Sequence, residues 1–304
     1  GCPMIRRPLL LRAAALLLSS ALLPAHAADH LAQVRASQTL TLGFVAGDAP
    51  FSAGTAEQPS GYAIELCGML GEQLKQQLAL PALKLHFQRL TAATMLKAVA
   101  EGQVDTVCSA VGDTLKRREQ VSFSLPYFAA GLGVVVRRDA PASLLTPINE
   151  GAQPRGPVWR ASINQGLSRH SFAVLKDSVS VDWARARMRA LGLQSELREV
   201  PSNAEGLAMV VNGQVDAFFA DRLVLLNYQA ENPRGSELLV PERLFDVLPV
   251  ALPLARGDDA WRLAVDRGLS AVQRSAAGQA LYARYFGPPS EQSQLLMKLF
   301  QRPE

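Results

Sequence analysis

Gly102-Gln-Val-Asp-Thr-Val-Cys-Ser-Ala-Val-Gly-Asp-Thr-Leu-Lys-Arg117-Arg-Glu-Gln-Val-Ser-Phe-Ser-Leu-Pro-Tyr127 runs from a strand through an arginine-bearing turn into a Phe-Ser-x-Pro-Tyr crossover. A guanidinium held beyond a strand end can take a carboxylate through two parallel charge-assisted hydrogen bonds. This turn therefore reads as an anchor for a small carboxylate-bearing molecule.

Upstream, a helix over about Ala92 to Glu101 stops at Gly102, where a left-handed C-terminal cap is favoured. Before it come a strand over Leu83 to Gln88 and a helix opened by Gly61-Tyr62 and closed by Pro81. Ala63, Leu66, Cys67, Leu70, Leu74 and Leu78 share one face of that helix at spacings of three and four. Thr39 to Val45 alternates as a strand and is broken by Gly47-Asp48-Ala49-Pro50.

Downstream the same wording returns: Val99-Ala-Glu-Gly-Gln-Val-Asp105 matches Val210-Val-Asn-Gly-Gln-Val-Asp216. Each copy leads into a strand whose far end carries a candidate ligand group, Arg117 past the first and Asp221 at the second. In open α/β sheets ligands collect beyond the carboxyl ends of strands. Two similar α/β lobes facing each other across a cleft follow.

Strands through Gly133 to Val136 and Val250 to Leu254 flank the second copy and read as the crossovers. The expected lobes are 39–127 plus 250–304 and 131–246, with hinges at about 127–131 and 246–250. Pro141 to Pro157, with four prolines, reads as an irregular excursion. Asp258 or Asp259 should cap a helix carrying Trp261, Leu263, Val265 and Leu269, followed by a helix over Ala276 to Phe286, both packed on the first lobe.

Residues 4–27 read as a cleavable export signal, with Arg6, Arg7 and Arg12 ahead of an apolar run from Ala13 to Leu23 and a small-x-small site at Ala25-His26-Ala27. The run is too short for a membrane span, which needs about 20 residues. Gly1-Cys2-Pro3 precedes Met4, the start implied by this reading. Cleavage leaves 28 basic against 27 acidic residues, a net charge of +1, so the basic isoelectric point belongs largely to the signal. No Lys/Arg stripe interleaved with aromatics suggests nucleic acid. The expected product is a soluble periplasmic monomer. Cys67 and Cys108 would both meet an oxidising compartment, which favours a disulfide between them over two buried free thiols.

Over residues 39 to 286 the chain resembles the polar amino-acid-binding proteins of ABC importers, the extracellular solute-binding family 3, and looks nearest to the glutamate/aspartate-binding branch. The residues that carry the resemblance are Pro50-Phe-Ser52, Gly61-Tyr62, Gly102-Gln-Val-Asp105, Thr114-Leu-Lys-Arg117 with Phe123-Ser124, Ser180-Val-Asp-Trp183, and Ala220-Asp221, in this order. The resemblance implies a two-lobed α/β periplasmic binding protein fold (type II), joined by two crossover strands. It implies an amino acid or related carboxylate as ligand, a membrane ABC permease as partner, and no cofactor. It places the carboxylate-binding arginine on Arg117, the ammonium-binding acid on Asp221, and a helix N-terminus that donates backbone N–H groups on Ser178-Val179.

The departures bear on specificity. Where the acidic-amino-acid branch has arginines for the ligand's side-chain carboxylate, this chain has Val45 and Met95; where hydroxyls bind the ligand it has Ala110 and Gly112. Glutamate would find no second cation, so a neutral ligand is expected rather than an acidic one. The position that stacks an aromatic on the ligand in many relatives falls on Asp48, with Phe51 as a candidate pocket wall. Asp48 could face a cationic side chain or merely belong to the turn. Asp177 sits where relatives prefer glycine, and Val179 replaces a hydroxyl.

Of the three histidines past the signal, His30, His86 and His170, no pair is spaced for a metal. No nucleophile elbow, phosphate loop or dinucleotide fingerprint is present. Cyclohexadienyl and arogenate dehydratases share the fold and would need a general acid from Asp48, Asp177 or Glu205. A soluble sensor for a membrane receptor would differ from an importer component only in its partner.

Overall fold

The computed structural model describes Gly1, residues 29–150 and residues 165–304. The export reading of residues 4–27 lies outside these.

One β-α-β-α-β unit occurs twice. In the first half the strands Thr39–Val45, Lys84–Leu90 and Thr106–Val107 enclose the helices Tyr62–Gln77 and Met95–Ala100. All three strands are parallel, with Thr39–Val45 in the centre. In the second half the strands Phe172–Leu175, Leu197–Val200 and Ala217–Asp221 enclose the helices Val179–Leu191 and Asn203–Val211, again parallel with the first strand central. The glycine after the second helix of each unit is left-handed, Gly102 at φ 74° and Gly213 at φ 71°, a conformation that costs glycine nothing.

The shared Asp of each Gln-Val-Asp then does the same job twice. Asp105 Oδ2 accepts from the N–H of Thr41 at 2.6 Å, and its own N–H donates to Thr41 O. Asp216 Oδ2 accepts from the N–H of Ser171 at 2.8 Å, and its N–H donates to Ser171 O. Each aspartate also faces a histidine, His30 Nε2 at 2.7 Å and His170 Nδ1 at 3.5 Å. The repeated wording is therefore a repeated structure, in which a carboxylate fastens the third strand of the unit to the start of the first.

The strand Ser122–Arg137 is the structural link. It pairs antiparallel with Ala217–Asp221 on one side and with the whole of Asp246–Leu254 on the other. The two crossovers are thus neighbours in one ladder, with Ala130 opposite Leu248 and Phe128 opposite Val250. The molecule is a two-lobed α/β protein. The first lobe's core includes Leu42, Phe44, Leu70 and Trp261, and the second sheet is covered on both faces, by Leu144, Val174 and Phe219 on one and by Val135, Leu207 and Phe218 on the other.

The apolar face of Tyr62–Gln77 is buried as its spacing predicts, and Cys67 and Cys108 form a disulfide with Cα atoms 6.2 Å apart. Asp258 caps the helix Asp259–Arg274 by accepting from the N–H of Trp261 at 2.9 Å. Trp261, Val265 and Leu269 are buried, whereas Leu263 is half exposed, because it faces away from the stripe that packs on the lobe.

The excursion expected over 141–157 is corrected in its first part. Ala142–Glu150 is a helix that contains Pro147, and Leu144 and Ile148, four apart, are buried in the second lobe's core. That burial outweighs the backbone hydrogen bond the proline removes. Residues 151–164 lie outside the described ones. The helix expected from Ala92 begins three residues later, at Met95.

Candidate functional site

Asp48, Arg117, Val179, Asn203 and Asp221 all follow or end strands of the two units, as an α/β sheet requires of its ligand-facing edge. They surround a cavity of about 270 Å³.

Arg117 lies in the short helix Leu115–Arg118, where the Thr114 hydroxyl caps its N–H at 3.2 Å. Three consecutive cations leave this turn in three directions. Arg118 makes two bonds to Asp113, at 2.7 and 2.6 Å, and Lys116 reaches across to Asp182 in the other lobe at 2.8 Å. Arg117 points into the cavity and meets no carboxylate among the described residues; its Nη1 donates to the Gly112 carbonyl at 2.9 Å. Burial lowers its pKa, yet a guanidinium stays charged at physiological pH.

Asp221 closes the strand Ala217–Asp221 and caps the helix Arg222–Glu231. Its Oδ1 accepts from the N–H groups of Leu223 at 2.8 Å and Val224 at 3.2 Å, while its Oδ2 is buried with no partner. Burial pushes its pKa up to about 6 against the opposing pull of the two N–H groups. Asp48 also lines the cavity, with its Oδ1 held at 2.9 Å by Nδ2 of Asn203 from the other lobe. Its pKa is pushed up to about 7, by burial first and by the nearby Asp221 second, with the Asn203 bond opposing.

The same corner draws the halves together. Tyr228 donates its hydroxyl to Gly47 O at 2.8 Å, and Asn203 Nδ2 also reaches that carbonyl, at 3.3 Å. Neither Asn203 nor Tyr228 was expected from sequence. Ser202-Asn-Ala-Glu205 is a capping-box pattern that marks a helix start beyond a strand end, the one local signal that could have found Asn203.

Ala110, Gly112, Ser178 and Val179 line the cavity as well. The Ser178 hydroxyl is already used, since it donates to Leu175 O at 2.6 Å and accepts from the Ser180 N–H at 3.2 Å. The Ser178 N–H also goes to Leu175 O, which leaves Val179 to present the first N–H of a thirteen-residue helix.

Three expected pocket residues lie elsewhere. Phe51 is fully buried in the first lobe's core, edge-on to Phe128 at 5.1 Å. Met95 is buried, and Val45 packs against the cluster that contains it. Phe51 and Met95 thus sit in two separate buried clusters, and Val45 is only partly buried against the second, so an arginine at Met95 would bury an unpaired charge instead of meeting a ligand. Among the three candidate general acids only Asp48 lines the cavity; Asp177 and Glu205 are exposed. Asp177 adopts φ 61°, the left-handed geometry for which a glycine was expected, and aspartate is among the few other residues that tolerate it.

A carboxylate whose folded pKa lies above its unfolded value binds its proton more tightly in the fold. It therefore contributes stability at low pH that is lost as pH rises through the folded pKa. For Asp48 the window runs from its ordinary value of 3.8 to about 7. At 1.36 kcal/mol per unit, discounted because part of the side chain meets the cavity, Asp48→Asn should stabilise the ligand-free protein by about 2 kcal/mol at pH 8. It should do nothing comparable at pH 4. Urea unfolding at the two pH values measures this, and an equal effect at both would remove the titration argument.

A cleft between two repeated α/β units, with charged groups from both converging on one cavity, defines a two-lobed solute-binding protein. Residues 40–288 match the family described as bacterial extracellular solute-binding proteins, family 3, and the chain belongs to it. It is 24% identical over 279 residues to the L-glutamate/L-aspartate-binding protein of Pseudomonas aeruginosa, a match covering 90% of this chain and 85% of that one. Among solved structures it is similar to an ABC uptake transporter substrate-binding protein from Streptococcus pneumoniae with bound histidine, with TM-score 0.69, 15% identity, and 86% and 97% of the two chains covered. It is also similar to an ancestral amino-acid-binding protein described as a precursor of cyclohexadienyl dehydratase, with TM-score 0.65, 23% identity, and 84% and 99% covered. The curated relatives it matches are substrate-binding proteins of amino-acid importers and of L-glutamate/L-aspartate and L-cystine. Members of the family are extracellular or periplasmic, and among the described residues no helix is long and apolar enough to cross a membrane.

Proposed function

We propose that this protein captures a free α-amino acid whose side chain bears no carboxylate, exported to the periplasm by residues 4–27 and delivering its ligand as a monomer to an ABC permease. The observation that carries this reading is the pairing of two incomplete groups from opposite lobes on one cavity. Among the described residues Arg117 has no anionic partner, and Asp221 has a buried oxygen with no donor. An α-amino acid supplies one group for each: its carboxylate for the guanidinium and its ammonium for the aspartate. Ligand contacts from both lobes exist together only when the cleft is shut, so binding favours the closed population. The hinges are the paired segments 127–131 and 246–250.

Acidic side chains are disfavoured because Arg117 is the only cation among the described residues lining the cavity, which also holds Asp48 and Asp221. A second ligand carboxylate would be taken from water without a partner, at a cost of several kcal/mol. The test is a thermal-shift screen of the protein against the common L-amino acids, arogenate and prephenate, with product analysis of every hit. Stabilisation by non-acidic amino acids without turnover is expected; stabilisation by none of them would overturn the reading, and release of an aromatic product would make the site catalytic.

A further inference from the structure

The corner where the lobes meet carries an attraction and a repulsion side by side. Tyr228 and Asn203 of the second lobe both reach Gly47 O of the first, at 2.8 and 3.3 Å, and Val224 is buried against the first lobe's core. One residue on, Asp48 lines the same cavity as Asp221 of the second lobe, near enough for the two charges to oppose each other. Neither carboxylate is free to turn away. Asp221 is fixed by the two helix N–H groups that its Oδ1 caps, and its Oδ2 is buried without a partner. Asp48 sits in a turn closed by its own backbone, its N–H donating to Ser52 O at 3.0 Å and its carbonyl accepting from the Phe51 N–H at 2.8 Å, while Asn203 holds its Oδ1. Burial raises both carboxylates, and repulsion adds to the rise at Asp48 against the pull of the Asn203 bond. Among the described residues, the other charged or titratable groups at the cavity do not relieve the pair. Arg117 lines the same cavity but pulls neither carboxylate down, Asp246 is an exposed anion of its wall, and Tyr228, with Glu231 on the same helix, meets Asp48 as a neutral phenol.

We infer that Asp48 and Asp221 form an electrostatic gate between the lobes, which holds the cleft open until a cation stands between the two carboxylates. With both side chains fixed and ionised, the relief that remains is to move the lobes apart, which gives up the bonds to Gly47 and returns water to both charges. An α-ammonium between them turns one repulsion into two attractions. Closure is then selective for an amine, and a carboxylate that lacks one meets the repulsion intact. This step rests on the amino-acid reading above; the gate itself does not. A proton is a smaller cation and does the same work, because a carboxyl and a carboxylate share a hydrogen bond where two carboxylates repel. Acid should therefore shut the cleft with nothing in it, and at neutral pH the closed form reports a bound amine.

Small-angle X-ray scattering of the protein, refolded from denaturant to free it of bound molecules, tests the gate with no ligand at all. The wild type should have a larger radius of gyration at pH 8 than at pH 5. Asp48→Asn removes the repulsion and keeps an acceptor for Asn203, so it should be compact at both pH values, with the radius that the wild type shows at pH 5. Histidines titrate in the same range, but His30, His86 and His170 do not line the cavity and are unchanged in the variant. A wild-type radius that is the same at pH 5 and pH 8, or a variant that changes with pH as the wild type does, would overturn the gate. So would a variant as extended as the wild type at pH 8. Each of these results leaves the amino-acid reading to its own screen, and failure of that screen leaves the gate standing.

Discussion

Replacing Arg117 by alanine is expected to weaken amino-acid binding by about 3 to 5 kcal/mol, or two to four orders of magnitude in Kd. The loss is large because the ligand's carboxylate would remain buried opposite Asp48 and Asp221 with no other cation, among the described residues, lining the cavity to receive it. The fold should tolerate the change, since among the described residues the guanidinium serves only the Gly112 carbonyl, at 2.9 Å. Arg118 and Lys116 cannot substitute, because each is committed to its own carboxylate, Asp113 and Asp182. Arg117→Lys should recover part of the loss, as it keeps the charge and forfeits the two-pronged geometry. An affinity change below tenfold for the alanine variant would rule Arg117 out as the anchor.

The second large effect concerns the disulfide. Cys67 and Cys108 are 41 residues apart in sequence, and closing a loop of that length stabilises by about 4 kcal/mol when the gain is assigned to lost chain entropy. The double variant Cys67→Ala/Cys108→Ala should lose about that much in urea unfolding. The bridge also matters to the site. Cys108 precedes Ser109, whose hydroxyl accepts from the Val45 N–H at 2.8 Å and whose carbonyl accepts from the Tyr127 hydroxyl at 2.9 Å. Ala110 and Gly112 of the cavity wall come next. Cutting the bridge should therefore weaken ligand binding along with the fold. A loss under about 1 kcal/mol would mean that packing alone holds the helix Tyr62–Gln77 to the strand end.

Much of the frame was legible from local pattern. Thr39–Val45 and Ala276–Phe286 have the bounds their periodicity predicts, and the two left-handed glycines stand where the repeat placed them. Arg117 and Asp221 were legible for a further reason. A strand-end position states which edge of the sheet a residue joins, and in this fold that edge is the cleft. The direction of a side chain at such an edge is not local information, which is why Val45, Met95 and Phe51 were assigned to the cavity although Met95 and Phe51 are buried in the core and Val45 packs against it. The contacts Asp48–Asn203 and Gly47–Tyr228 span 155 and 181 residues and depend on the lobes meeting, so no window of sequence contains them. Pro147 hid a helix for the opposite reason: its local signal is a strong breaker, and the burial of Leu144 and Ile148 that overrides it is tertiary.

The central claim is that one ligand is gripped at its two ends by opposite charges from opposite lobes. Its most direct test is a calorimetric cycle using the tightest-binding amino acid of the screen and its methyl ester, each titrated into the wild-type protein and Arg117→Ala. Esterification removes the charge Arg117 is assigned to hold. The ester should bind wild type about as poorly as the free acid binds the variant, and esterification should cost the variant little more. Equal losses on esterification in both proteins would show that the carboxylate and the guanidinium do not meet.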